Sequence, residues 1–226
     1  EVGARGASVV AFDKATGKEV WKNGDDAAGY SSLVAFNQGE QRCLAVFCKD
    51  FIVGRRLDNG AELWRHPWKT SYGVNAATPI VQGDQVFISS GYNSGCTLLE
   101  VGASGVKEVW RNKVMRNHVN SCVLWNGFLY GYDEGDLKCL DFKTGEVKWN
   151  IGSYGKGSLM LADNKLILFS GQGKLGLAEL TPEAFRELAK VQVLSGKDTW
   201  ASPLLANGRI YCRSLEDLVA LDVKTK

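Results

Sequence analysis

The sequence predicts an all-β chain, a β-propeller of four-stranded blades, on three observations. One phrase recurs along the 226 residues: an apolar strand, an acidic or small residue, a turn with glycine, then a short strand ending in tryptophan. The tryptophans that close it, Trp21, Trp64, Trp110 and Trp149, are spaced 43, 46 and 39 residues apart, near the roughly 40–45 residues of one blade. Along the chain lie short β-rich runs, among them CLAVFC, VFISSG, FLYGYD, KLILFS and RIYCRS, flanked by Gly, Asn and Asp.

The copies read VVAFDKATGKEVW at 9–21, GRRLDNGAELW at 54–64, LLEVGASGVKEVW at 98–110 and LKCLDFKTGEVKW at 137–149; a last copy, LVALDVKTK at 218–226, stops before its turn is complete. In the fourth copy, SCVLWN (121–126) is the inner strand and GFLYGYD (127–133) follows a tight Asn-Gly turn. DLKCLDF (136–142) is third, and GEVKWN (145–150) is the outer strand. The same order is expected over 76–112, opening with AATPIVQGDQVFISS, and over 200–224, opening with ASPLLANGRIYCRS. One piece, TPEAFRELAK at 181–190, looks helical, with Pro182 after Thr181 as a capped start; it is expected to be an insertion in a blade turn.

A blade is a small twisted sheet that cannot bury both faces alone, so blades stack and cover one another. The Asp and Thr before Gly make a tight side-chain-to-backbone turn. The tryptophan is expected to pack between neighbouring blades, where its large area contributes most. The expected organisation is a single propeller domain over 1–226, with repeats at about 1–29 (partial), 30–74, 75–117, 118–154, 155–199 and 200–226 (partial). About five blades are present.

Composition is that of a folded chain: 45% hydrophobic and 23% charged, with 26 glycines and 4 prolines. The formal net charge is +2 and the charges are interspersed, which speaks against nucleic acid or anionic membrane as partners. No stretch approaches the roughly 20 apolar residues of a membrane helix. No signal peptide is visible, and the chain begins at Glu1 rather than Met. The six cysteines, at 43, 48, 96, 122, 139 and 212, include no adjacent pair and no CxxC, so metal and haem readings lack support. They read as buried thiols acting as small hydrophobes; in an exported protein some could pair.

The D-x-x-T-G-x-x-x-W phrase resembles the tryptophan-docking repeat of quinoprotein dehydrogenases and of BamB-like outer-membrane assembly lipoproteins. The wording GASVVAFDKATGKEVW, AGYSSLVA and TPIVQGDQVFISSGY is similar to bacterial PQQ-binding-like propellers. That resemblance covers the whole chain. It implies about eight blades, hence about three lying upstream of Glu1, with a small self-closing ring as the alternative. It also implies a periplasmic or outer-membrane-associated location.

Propeller ligands usually sit at one end of the central channel, where residues enter the inner strands. The matching positions are Tyr30, Ser31 and Ser32; Asn75, Ala76 and Thr78; His118, Asn120 and Ser121; Lys156, Gly157 and Ser158; and Trp200 and Ser202. Such a polar, mixed set can hold a polar ligand or a quinone, or simply satisfy backbone ends and channel waters. His118 reads as hydrogen-bonded structure, and with His66 the only other histidine, a His-rich metal site is not expected. Lys156, in YGKGS, reads as solvated or as a partner for a ligand carboxylate. Trp68 and Trp125 fall outside the repeat phrase; Trp68, in RHPWKTSYG, is expected to be an exposed contact.

Two functions follow. One is a non-catalytic binding or scaffold module of the bacterial envelope, similar to BamB, with protein partners and no cofactor. The alternative is a PQQ- and Ca-dependent alcohol or sugar dehydrogenase. The resemblance implies that such enzymes hold Ca²⁺ through Glu, Asn and Asp, use an Asp base and stack the quinone between a Trp and a vicinal disulfide. This chain has no adjacent cysteines, and the positions above contain no Asp or Glu; Asp13, Asp58, Asp141 and Asp222 belong to repeat turns. No catalytic residue and no metal ligand is assigned, and the reading leans away from an enzyme. Walker, G-x-S-x-G, HExxH and dinucleotide motifs do not occur.

Overall fold

The computed structural model describes residues 2–152, 154–195 and 199–224, so Glu1 and the end of the last copy, 225–226, lie outside the described residues. Among the described residues every regular element is a β-strand. The chain forms two compact units, Glu1–Arg116 and Asn117–Lys226.

In the first unit, β1 (Val9–Phe12) and β2 (Glu19–Asn23) form a hairpin. Then β3 (Val34–Gln38), β4 (Gln41–Phe47), β5 (Phe51–Arg56) and β6 (Glu62–Pro67) form a sheet in sequence order, as do β7 (Ile80–Gln82), β8 (Gln85–Ser90), β9 (Gly95–Gly102) and β10 (Gly105–Asn112). In the second unit, one sheet holds β11 (Val123–Trp125), β12 (Phe128–Asp133), β13 (Asp136–Asp141) and β14 (Val147–Ile151). The next holds β15 (Gly157–Ala162), β16 (Lys165–Ser170), β17 (Lys174–Glu179) and β18 (Glu187–Gln192). A three-stranded sheet of β19 (Leu204–Ala206), β20 (Arg209–Arg213) and β21 (Leu218–Asp222) completes it. All pairings are antiparallel, and the four-stranded sheets follow the strand order expected from the repeat.

The repeat phrase has a defined local chemistry. Asp13 Oδ1 accepts from the Thr16 N–H at 2.8 Å and the Thr16 hydroxyl at 2.7 Å, and Asp141 Oδ1 accepts from the N–H groups of Lys143 and Thr144, both at 2.9 Å. Gly17 and Gly145 then take φ of 71°, a left-handed conformation that glycine enters without Cβ strain. Immediately afterwards the outer strand carries a bulge, one residue left unpaired. The pairs around it are Ala11 with Trp21 and Phe12 with Glu19, Gly54 with Trp64 and Arg55 with Glu62, and Cys139 with Trp149 and Leu140 with Val147. Leu98 with Trp110 and Leu99 with Glu108 repeat the pattern. Each tryptophan is therefore aimed by the same defect in its ladder. Trp21 Nε1 donates to the Leu57 carbonyl at 3.1 Å, and Trp149 Nε1 donates to the Thr181 carbonyl at 2.8 Å, both in the connection between the third and fourth strands of the following sheet of the same unit.

The second strands are buried on both faces, so their apolar runs are continuous instead of alternating. In β4, Cys43, Ala45 and Phe47 join one cluster with Val86, Ile88 and Leu99, while Leu44 and Val46 point the other way and pack with Val9 and Val53. In β16, Leu166 and Leu168 face Tyr130 and Trp149, while Ile167 and Phe169 face Ile210 and Cys212. Each Val, Leu, Ile or Phe among them contributes roughly 1.5–3 kcal/mol on full burial. All six cysteines are buried thiols.

Two expectations are corrected. The 181–190 run forms no helix: its second half is β18, paired with β17 from Lys174–Gln192 to Ala178–Glu187. Ten residues are too few for a helix to persist on propensity alone, and the ladder to β17 satisfies the same backbone groups. Trp68 is also not an exposed contact. It is 1% exposed, its N–H donates to the Asp50 carbonyl at 2.8 Å, and its indole Nε1 donates to Ser90 Oγ at 3.0 Å. The Arg111 guanidinium lies 4.6 Å over its ring. The loop after β6 folds this large apolar side chain into the core, with a hydrogen-bond partner for its polar edge.

Candidate functional site in the second unit

Five of the sequence-selected residues converge on one cleft. His118 and Asn120 precede β11, Lys156 precedes β15, Gly157 opens it, and Trp200 precedes β19; Val119, Tyr132 and Glu134 complete the lining. The segment before β11 is held by Asn117, which is 1% exposed, donates through Nδ2 to the Tyr132 carbonyl at 2.9 Å and accepts from the Cys122 thiol at 3.1 Å. The His118 and Trp200 rings meet edge to face with centroids 6.4 Å apart, within the range in which such pairs are attractive. Trp200 remains 51% exposed.

The polar groups differ in how they are engaged. Lys156 Nζ lies 3.3 Å from Glu134 Oε2, so the lysine is ion-paired at the rim. The Tyr132 hydroxyl is buried and makes no hydrogen bond among the described residues. Burial raises its phenol well above the usual tyrosine value. His118 is held below its ordinary value of 6.5, first by burial and then by the Lys156 ammonium, with Glu134 opposing. The imidazole is therefore neutral at pH 7. The cleft is narrow, with a volume of about 10 Å³, close to the minimum for one water. The arrangement suits binding: a buried hydroxyl, a neutral imidazole and half an indole face around a narrow gap.

The other selected positions have different surroundings. Ser158 is buried, with its hydroxyl donating to the Ala201 carbonyl at 3.3 Å, beneath the cleft wall; Ser121 is half-buried and Ser202 exposed, and neither lines the cleft. In the first unit, Tyr30 is 75% exposed and Ser32 is exposed, and the Ser31 hydroxyl donates to the Ser32 carbonyl at 3.0 Å. Ala76 and Thr78 are half-buried. Asn75 is fully buried: Nδ2 donates to the carbonyls of Cys48 at 2.8 Å and Lys49 at 2.9 Å, and Oδ1 accepts from Ser90 Oγ at 2.7 Å. That amide braces the loop after β4 against β8. Sequence reasoning missed Tyr132 and Glu134, because it took only the entrances to inner strands; FLYGYDEG carries Tyr132 and Glu134 from the second strand and its turn to the same place. Among the described residues, no three His, Cys, Asp or Glu side chains converge as a metal-ligand set.

Stacked four-stranded antiparallel sheets with a bulged, tryptophan-bearing outer strand define a repeat protein of the propeller type. The family described as outer membrane protein assembly factor BamB matches residues 2–151, and the chain belongs to that family. The crystal structure of BamB from Moraxella catarrhalis is similar over 96% of this chain and 79% of that one, with a TM-score of 0.50 at 16% identity. The computationally designed Ika8 protein is similar over 93% of this chain with a TM-score of 0.65 at 11% identity; the chain spans 63% of that protein's length. These structural likenesses speak to the fold. No curated protein matches the chain.

Proposed function

We propose that the chain is a non-catalytic binding or scaffold module of the bacterial cell envelope, acting through protein partners as a factor in outer-membrane protein assembly. The observation that carries this reading is the family match over residues 2–151. In this reading Trp21, Trp64, Trp110 and Trp149 are docking residues between sheets. The half-exposed Trp200 beside the cleft supplies an aromatic anchor of the kind that dominates protein interfaces. Among the described residues no helix is long and apolar enough to cross a membrane.

The module needs no cofactor. The cleft residues do not fit a quinone with Ca²⁺: Ca²⁺ takes six to eight oxygen ligands, whereas Glu134 is the one carboxylate among the lining residues and is ion-paired with Lys156.

The test is made in the source cells. Fractionation followed by blotting is expected to place the protein with the envelope, and loss of its gene is expected to lower the folded, heat-modifiable fraction of outer-membrane proteins. Recovery in the cytosol, or an unchanged folded fraction, overturns the reading.

A further inference from the structure

The fifth outer strand breaks the pattern of the other four. In β18 the bulge is in place, with Leu177 paired to Ala189 and Ala178 to Glu187. Ala189 thus occupies the register position that holds Trp21, Trp64, Trp110 and Trp149 elsewhere. The consequence is visible in burial: every residue of β18 is exposed, whereas Trp64 in β6 and Trp149 in β14 are buried. Where an indole would lie there is an apolar groove within the second unit, lined by Ile167, Leu175, Leu177, Ala189, Ile210 and Val223 among others. The groove is open to solvent and has a volume of about 180 Å³. An engineered apolar cavity of about 150 Å³ binds benzene, so this space admits an aromatic ring.

The last sheet also repeats the backbone position whose carbonyl receives an indole N–H in an earlier sheet. Trp21 Nε1 donates to the carbonyl of Leu57, whose own N–H donates to the Arg42 carbonyl at 3.0 Å. Val223 occupies the same point in the last sheet: it directly follows the third strand, and its N–H donates to the Gly208 carbonyl at 2.9 Å. Val223 lines the groove. We propose that this groove is a binding site for an indole ring, the tryptophan side chain of a partner protein, with the ring on Leu177 and Ile210 and its N–H donating to the Val223 carbonyl. The site rests on the repeat register and is independent of the envelope role.

The test uses the full chain with N-acetyltryptophanamide as probe, followed by methyl NMR shifts. Saturable shifts confined to Leu177, Ile210 and Val223 are expected. The variant Ala189→Trp fills the groove from within; it is expected to raise the melting temperature by about 2–4 °C and to abolish probe binding. Val223 is 47% exposed, so Val223→Glu keeps the fold and is expected to weaken binding at least tenfold by placing a carboxylate at the rim. Unsaturable or dispersed shifts in the parent, or undiminished binding in either folded variant, overturn the proposal.

Discussion

Arg55 Nη2 lies 2.7 Å from Asp26 Oδ2, with the two side chains only 2% and 8% exposed. Arg55 also donates through Nη1 to the Gly60 carbonyl at 3.1 Å, and Arg65 reaches the other oxygen of Asp26 at 3.2 Å. The aspartate therefore ties the segment after the first hairpin to the turn between β5 and β6. Removing Asp26 leaves the buried guanidinium with Glu62 Oε2, 4.0 Å away, as its remaining carboxylate partner. Asp26→Leu and Arg55→Met, made singly, are each expected to cost about 3–5 kcal/mol, while the double variant of the two is expected to cost much less. Urea unfolding of the four proteins in the cycle checks this. Equal losses in the single and double variants would show that packing, not charge, sets the cost.

The repeat tryptophans divide by burial. Trp149 is 9% exposed, meets Tyr130 and Phe185 at centroid distances of 5.9 and 5.6 Å, and donates to the Thr181 carbonyl at 2.8 Å. Trp149→Phe keeps most of the packing and deletes the donor, leaving that carbonyl unsatisfied, for an expected loss of about 1–3 kcal/mol. Trp149→Ala adds the cavity and is expected to lose about 3–5 kcal/mol. Trp21 makes the same hydrogen bond at a more exposed position, so Trp21→Phe is expected to lose less than Trp149→Phe. Chemical denaturation of the three variants ranks them.

The fold was legible in the sequence because the repeat is written in local chemistry. The Asp-x-x-Thr-Gly turn and the strand after it are set by neighbours a few residues apart, and both appear at 13–21 and 141–149 as read. The errors fell where tertiary packing outweighs local preference. Residues 181–190 carry helix formers, yet from Glu187 onward they join β18 because β17 offers a ladder. Trp68 follows a proline in a polar stretch and is buried because Ser90, 22 positions later, accepts from its indole N–H and Arg111, 43 positions later, covers one face of the ring. The candidate cleft was half legible: His118, Asn120, Lys156 and Trp200 share a place in the repeat, but Tyr132 joins them through strand geometry that spacing alone does not reveal.

Acid sensitivity is expected to come first from the histidines. His66 and His118 are both held below 6.5, chiefly by burial, with Arg111 adding to the effect at His66 and Lys156 at His118, against Glu108 and Glu134. Between the folded and unfolded values the unfolded chain binds more protons, so protonation favours unfolding. The stability from the neutral imidazoles is therefore complete above about pH 6.5 and is lost as pH falls through the folded values. The lowered carboxylates Asp13, Asp58, Glu62 and Glu187, with ordinary values of 3.8 to 4.5, act in a more acidic window. Urea midpoints at pH 7.5 and 5.5 are expected to differ, and His118→Gln combined with His66→Gln is expected to shrink the difference. An unchanged difference would remove the histidines as its source.

The Tyr132 hydroxyl is the polar group of the cleft that the protein leaves without a hydrogen bond among the described residues. An unsatisfied buried hydroxyl costs roughly 1–3 kcal/mol, so Tyr132→Phe, which keeps the ring against Gly157, is expected to stabilise the chain by about 1 kcal/mol. A water trapped in the narrow gap would reverse the sign, because the variant would then lose a bond and strand the water. Thermal unfolding of Tyr132→Phe beside the parent separates the two. A gain identifies a hydroxyl held ready for a ligand at a cost in stability, the usual sign of a site kept for binding. A loss identifies a hydrated structural tyrosine and moves the functional weight of the cleft to Trp200 and His118.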